Sequence, residues 1–222
     1  LDAMALSVSD LHKQESRIPL IDPFNGTKDI NCQVIRAISP SVFKLDPARL
    51  IRAPRLASEL NFEICDDTAE SIKQNSYFIT KIAPERIRDE FLKLLATPSG
   101  TFGLRLLDNL GILCPIIPEL ASTKGITQPE EHHWDVFNHS VETVGQVENL
   151  FNSVPSTTYL SNMEVASSRI VDRYFSEVIS DGHTRLTLLK LAGLLHDIAK
   201  PATRSVDTSG RVRFLGHSKI GA

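Results

Sequence analysis

From residue 28 onward, apolar side chains recur three and four positions apart, a spacing that gathers them on helix faces rather than strand faces. Ile30, Val34, Ile35 and Ile38 share one such face, and Leu50, Ala53, Ala57 and Leu60 share another. The second set follows Asp46-Pro47, where the aspartate can cap and the proline can take the first helical position. The same reading predicts helices over 66–74, 84–96 and 100–110, the last closed by Gly111. A Gly- and Pro-containing stretch then leads into a helix with Val136, Val144, Val147 and Phe151 as its apolar set. Beyond a serine-rich loop at 152–162, helices are expected near 164–179 and 184–198, then a hairpin through VDTSGRVRF and the start of a last helix. Only the first 27 residues, short apolar pieces between turn formers, read as strand remnants and loops. The predicted fold class is all-α, with two helical units meeting near 122–130.

Composition limits what such a chain can do. At 222 residues and 41% hydrophobic content it can fill one large or two small cores. A net charge of -3 excludes a protein coated in basic charge, so any nucleic-acid contact must come from a local patch. No stretch approaches the roughly 18 consecutive apolar residues of a membrane span, and no membrane partner is expected. Cys32, Cys65 and Cys114 are odd in number and lack C-x-x-C spacing, which suits a reducing cytoplasm better than a disulfide framework. Leu1 stands where a Met would begin a chain, and GHSKIGA resembles the opening of a helix, so a chain cut at both ends is expected.

The local basic patch exists. Between Lys28 and Phe62 six Lys or Arg stand against three acids, and Arg49, Arg52 and Arg55 recur every three residues in LDPARLIRAPRLASEL. On a helix they form one drifting stripe with Asp46 at its N-terminal end. An arginine offers paired donors and a carboxylate accepts from an amino group, so the two together can imitate a base edge. The same spacing also suits a solvated face with ordinary ion pairs. Pro54 falls inside this helix and removes a backbone donor, at a cost of about 3 kcal/mol unless a kink absorbs it. A bend at the stripe is expected.

A second constellation lies in LLKLAGLLHDIAK. An apolar helix ends on His196 and Asp197, so both project from the wall of a core, a low-dielectric place suited to a metal. His139 in VFNHSVETV and His217 in FLGHSKIGA are candidate neighbours. Imidazole with carboxylate suits nickel, manganese, zinc or iron better than calcium. Lys200 can neutralise a substrate phosphate or simply favour the helix C-terminus. His12 and His183 have no partner at useful spacing and read as surface residues.

Taken in order, IDPFNGTKDI, DPARLIRAPRLASELNFEI, APERIRDEFLKLL and FGLRLLDNLGILCPIIPEL resemble the neck and body helices of the tRNA nucleotidyltransferase and bacterial poly(A) polymerase family. The resemblance covers roughly 100 residues. It implies a head remnant and hinge at 1–27, a helical neck and body at 28–122, and a following helical unit at 123–222. In that family an acid and an arginine of a D-x-x-R motif pair with the incoming base; here they fall on Asp46 and Arg49, with Arg52 beside them. The hinge motif falls on Asp22, Pro23, Gly26 and Asp29, and LDAMA resembles the last strand and turn of the head. Leu45 stands where family members carry another acid. The family's head holds a Gly-Ser pair and D-x-D carboxylates for paired Mg2+ ions, and no D-x-D occurs in this sequence.

Residues 123–222 resemble the HD phosphohydrolase superfamily, which implies a transition metal such as Ni2+ or Mn2+ on His139, His196 and Asp197. His132 and His133 also fit its H-H-x-D-V-x-x-H pattern, whereas its fourth ligand, a distant aspartate, has no counterpart after His217. Together the resemblances imply a cytoplasmic enzyme that adds C and A, or A alone, to a tRNA or other RNA 3′ end from ATP and CTP. Two alternatives remain at the level of sequence: a stand-alone HD metal phosphohydrolase, and a non-catalytic RNA-binding module.

Overall fold

Helices dominate the computed structural model, which describes residues 4–6, 20–128, 134–152 and 170–221. At the N-terminal end β1 (Ala5–Leu6) pairs antiparallel with β2 (Leu20–Ile21). Asp22 then accepts from the Gly26 and Thr27 amides at 2.6 and 2.9 Å and starts α1 (Gly26–Asn31). Those bonds, that from Thr27 foremost, hold its carboxyl below the ordinary range. The hinge residue Asp29 pairs with Arg36 at 3.2 Å.

The first expected helix face is helical only in part. After α1, Gln33 turns at φ 57°, and Val34–Ile35 form β3, parallel to β4 (Glu63–Ile64). Bonds from the Glu63 amide to Gln33 O (2.9 Å) and from the Cys65 amide to Ile35 O (3.2 Å) complete the ladder. A strand partner nearly thirty residues downstream gives the β-branched Val34 and Ile35 a pairing that periodicity cannot foresee.

Next come α2 (Val42–Leu45) and α3 (Arg49–Leu60). The expected cap is corrected here: Asp46 terminates α2, and α3 begins after Ala48 with no side-chain cap. Helix α3 runs on through the buried Pro54, so the lost donor does not end it. The remaining body helices fall where the periodicity placed them: α4 (Asp66–Asn75), then a 3₁₀ turn, α5 (Pro84–Ala96) and α6 (Gly100–Asn109). Gly111, at φ 72°, closes α6: its amide bonds Asp108 O at 3.0 Å and that of Ile112 bonds Leu107 O at 2.9 Å. Two short helices, α7 (Leu113–Ile116) and α8 (Glu119–Thr123), finish this part.

Asp135 opens α9 (Val136–Asn152), accepting from the Asn138 amide at 2.8 Å while its other oxygen takes the Gly125 amide at 2.7 Å. Helical residues 170–176 (α10) give way to β5 (Val178–Ser180), which pairs with β6 (His183–Thr184), so the helix expected to reach 179 ends short of it. His183 is thus a strand residue. His12, His132, His133 and most of the serine-rich loop lie outside the described residues. Thr184 caps α11 (Arg185–Leu195), and α12 (Lys200–Thr203) follows. The expected hairpin is β7 (Arg204–Val206) with β8 (Val212–Phe214), and α13 (His217–Gly221) comes last.

A continuous apolar core runs from Val42, Leu50 and Ile51 through Leu94, Leu104 and Leu107 to Phe137, Val141, Val144 and Leu194. Helix α9 packs on α6, and α11 packs on both α9 and α5. The helices before and after residues 122–130 therefore bury one another rather than filling separate cores. At Gly103 a Cβ would sit 2.7 Å from the Leu94 side chain, so α6 needs hydrogen there to approach α5. No helix among the described residues is long and apolar enough to cross a membrane.

Candidate functional site

The arginine stripe divides along its length. Arg55 Nε lies 2.7 Å from Glu90 Oε2 and also pairs with Glu59, while Arg52 Nε is 3.6 Å from Glu90 Oε1. Glu90 is only 7% exposed, so this end of the stripe fastens α3 to α5. At the other end Asp46 holds Arg49 at 3.6 Å, and Arg86 of α5 reaches the same carboxylate at 3.2 Å. Arg49 and Arg52 line a cavity of about 630 Å³ together with Met4, Phe24, Val42 and Phe62. Leu45, where the resemblance leads one to expect an acid, is 80% exposed. Arg86 and Glu90 were not picked out from the sequence, although their spacing of four in APERIRDEFLKLL puts them on one helix face, the face turned to α3.

The His-Asp segment converges more tightly. Leu194 is fully buried at the end of α11, which draws the next residues against the core; Asp197 is 2% exposed. His196 Nε2 stands 3.0 Å, His139 Nε2 3.6 Å and Lys200 Nζ 2.7 Å from Asp197 Oδ2, and His217 Nε2 stands 3.3 Å from Oδ1. The rings of His196 and His217 are oriented by carbonyls, Gly193 O at 2.8 Å and Phe214 O at 2.6 Å from their Nδ1 atoms. That arrangement leaves each Nε2 facing the carboxylate. Lys200 also donates to Gln128 Oε1 at 2.6 Å, so it belongs to the cluster rather than to a free helix end.

Donor atoms of His139, His196 and Asp197 lie within 4.8 Å of one another, close enough to share one ion. Asp197 Oδ2 is buried among Lys200 Nζ at 2.7 Å and the Nε2 atoms of His196 and His139, and an ionised carboxylate has lone pairs enough to serve an ion beside these neighbours. Two imidazoles and this carboxylate therefore fit a transition ion. Burial alone would raise the Asp197 pKa, but His196 and Lys200 hold it well below the usual carboxylate range. In turn Asp197 raises the pKa of His196 against the effect of burial. The carboxylate is ionised across the physiological range, as a metal ligand must be.

Known proteins share both parts. Residues 61–124 match the family described as "Probable RNA and SrmB- binding site of polymerase A", and residues 136–222 match the HD domain. The A-adding tRNA nucleotidyltransferase of Deinococcus radiodurans is 33% identical over 210 residues, covering 91% of this chain and 41% of that protein. The CC-adding tRNA nucleotidyltransferase of Thermus thermophilus is 31% identical over 183 residues, covering 80% and 35%. By sequence, the chain is similar to tRNA nucleotidyltransferases over most of its own length. It spans only about two fifths of the length of the first of these tRNA nucleotidyltransferases and 35% of the second. A solved tRNA-processing enzyme in an apo form shares the fold, with a TM-score of 0.55 at 23% identity, over 87% of this chain and 45% of that one.

Proposed function

We propose that this chain is the RNA- and nucleotide-reading helical region, with its HD unit, of a cytoplasmic enzyme that adds nucleotides to RNA 3′ ends. Residues 1–27 belong to the head and hinge, 28–122 to the neck and body, and 123–222 to the HD unit. A tRNA or other RNA 3′ end and ATP or CTP are its partners. The observation that carries this reading is Asp46 held between Arg49 and Arg86 beside a cavity lined by Arg49 and Arg52. Such a carboxylate and guanidinium, each fixed by a partner, can present an acceptor and donors to a base without first becoming ordered. Arg52 sits one turn on, tied to Glu90, and lines the same cavity. Mg2+ belongs to the carboxylates of the head, and this sequence has no such pair. The chain alone is therefore not expected to transfer a nucleotide.

The HD cluster favours a second activity, metal-dependent hydrolysis of a phosphoester. His139, His196 and Asp197 would hold the ion, Ni2+ or Mn2+ among the candidates, and the ion would supply Lewis acidity. His217 stands ready on the other carboxylate oxygen. Lys200, beside Asp197, places a positive charge where a substrate phosphate would approach. Binding of a tRNA lacking its terminal adenosine, followed by fluorescence anisotropy, tests the main reading. Saturable binding that weakens on Arg49→Ala supports it; no binding, or binding insensitive to added salt, contradicts it.

A further inference from the structure

The two helices that bear the candidate metal ligands carry another buried pair far from those ligands. On α9, Glu148 lies nine residues beyond His139, about 13 Å along the helix; on α11, Lys190 lies six residues before His196, about 9 Å. Lys190 is 3% and Glu148 7% exposed, and Lys190 Nζ is 3.0 Å from Glu148 Oε1. Both ends of the pair hold the body. Lys190 Nζ donates to Thr97 O at 2.7 Å, at the C-terminal end of α5. The amide of Thr101, in the first turn of α6, donates to Glu148 Oε1 and Oε2 at 3.2 and 3.3 Å. A cation thus meets the negative end of one helix and an anion meets the positive end of the next. At Gly100 a Cβ would come within 2.9 Å of Glu148 Oε1, so the carboxylate enters through a gap that only glycine leaves.

We infer that this pair makes the HD unit a metal-keyed brace for the RNA-binding body, so that both open as one cooperative unit and an ion held by His139, His196 and Asp197 stabilises helix α6. The inference rests on the metal reading above. A ligand that binds only the closed state lowers the open population by a factor of one plus its concentration over its Kd. If α6 opens only together with α9 and α11, its slowest amides share that whole factor; if it opens by itself, they share none.

Amide hydrogen exchange of the full chain with and without nickel tests this, with nickel binding measured separately by calorimetry. At a hundred times the Kd, the slowest amides of α6, such as those of Leu104 and Leu107, are expected to exchange about 100-fold more slowly, matching those of α9 and α11. In the Glu148→Gln, Lys190→Met variant, which removes both charges and strands neither, α6 loses most of that slowing while α9 and α11 keep it. Slowing confined to α9 and α11 in the unmodified chain overturns the brace while leaving the metal site intact. Absence of nickel binding in calorimetry overturns the metal reading, and the brace with it.

Discussion

Replacing Lys190 by methionine tests the buried pair as a source of stability. The substitution keeps the side chain's length and apolar stem but leaves Glu148 with only the Thr101 amide for its charge. Both residues are under a tenth exposed, so water screens the orphaned carboxylate poorly. Stranding one partner of such a pair costs about 3–5 kcal/mol, against a total stability of about 5–15 kcal/mol for a domain. For a chain of this size each kcal/mol moves Tm by about 2–4 °C, so a fall of roughly 6–20 °C is expected. Urea and thermal unfolding measure it. Adding Glu148→Leu should return part of the loss, because no charge is then left buried, and the excess of the summed single losses over the double loss gives the coupling. A Lys190→Met cost below about 1 kcal/mol, the value of an exposed ion pair, would refute the reasoning.

Asp135→Ala removes the cap of α9 and is expected to cost about 1 kcal/mol at neutral pH. Burial works to raise the Asp135 pKa, but the Asn138 and Gly125 amides hold it below its ordinary value. Its stabilisation is therefore complete above the unfolded value near 4 and is lost as pH falls through the lower folded value, so unfolding curves of the two proteins should converge in acid. Gly103→Ala drives a methyl into the Leu94 side chain and should destabilise by about 1–3 kcal/mol, measured by urea unfolding. In a longer chain that includes a nucleotidyltransferase head, Arg49→Ala should erode the choice of ATP and CTP over UTP and GTP by about 1–3 kcal/mol, read as relative kcat/KM. Equal loss for all four nucleotides would contradict base reading at Arg49.

Local rules read most of this molecule. Helices α5 and α6 could be placed from apolar spacing and from Gly111 because their ends are set by residues within or beside them. The His196-Asp197 doublet could be singled out because a polar pair after an apolar helix must project from a core. Its convergence with His139 and His217 depends on how α9, α11 and α13 pack, and the segments alone only suggested it. Val34 and Ile35 were misread because their partners, Glu63 and Ile64, lie far along the chain. Glu148 was missed for a related reason. It lies on the buried face of α9, among Val141 and Val144, as a carboxylate whose partners Lys190 and Thr101 come from two other helices. Arg52 and Arg55 looked like a basic face open to a ligand until Glu90 came into contact with them.

Anomalous scattering from crystals soaked in nickel or manganese bears most directly on the metal centre. The account predicts one ion bounded by His139 Nε2, His196 Nε2 and Asp197 Oδ2, and no ion there in Asp197→Ala. An ion that persists in Asp197→Ala would contradict Asp197 as a ligand, and no ion between these three side chains in the unmodified protein would show that the cluster is a buried ion-pair network of Asp197 with Lys200 and the histidines, and not a metal site.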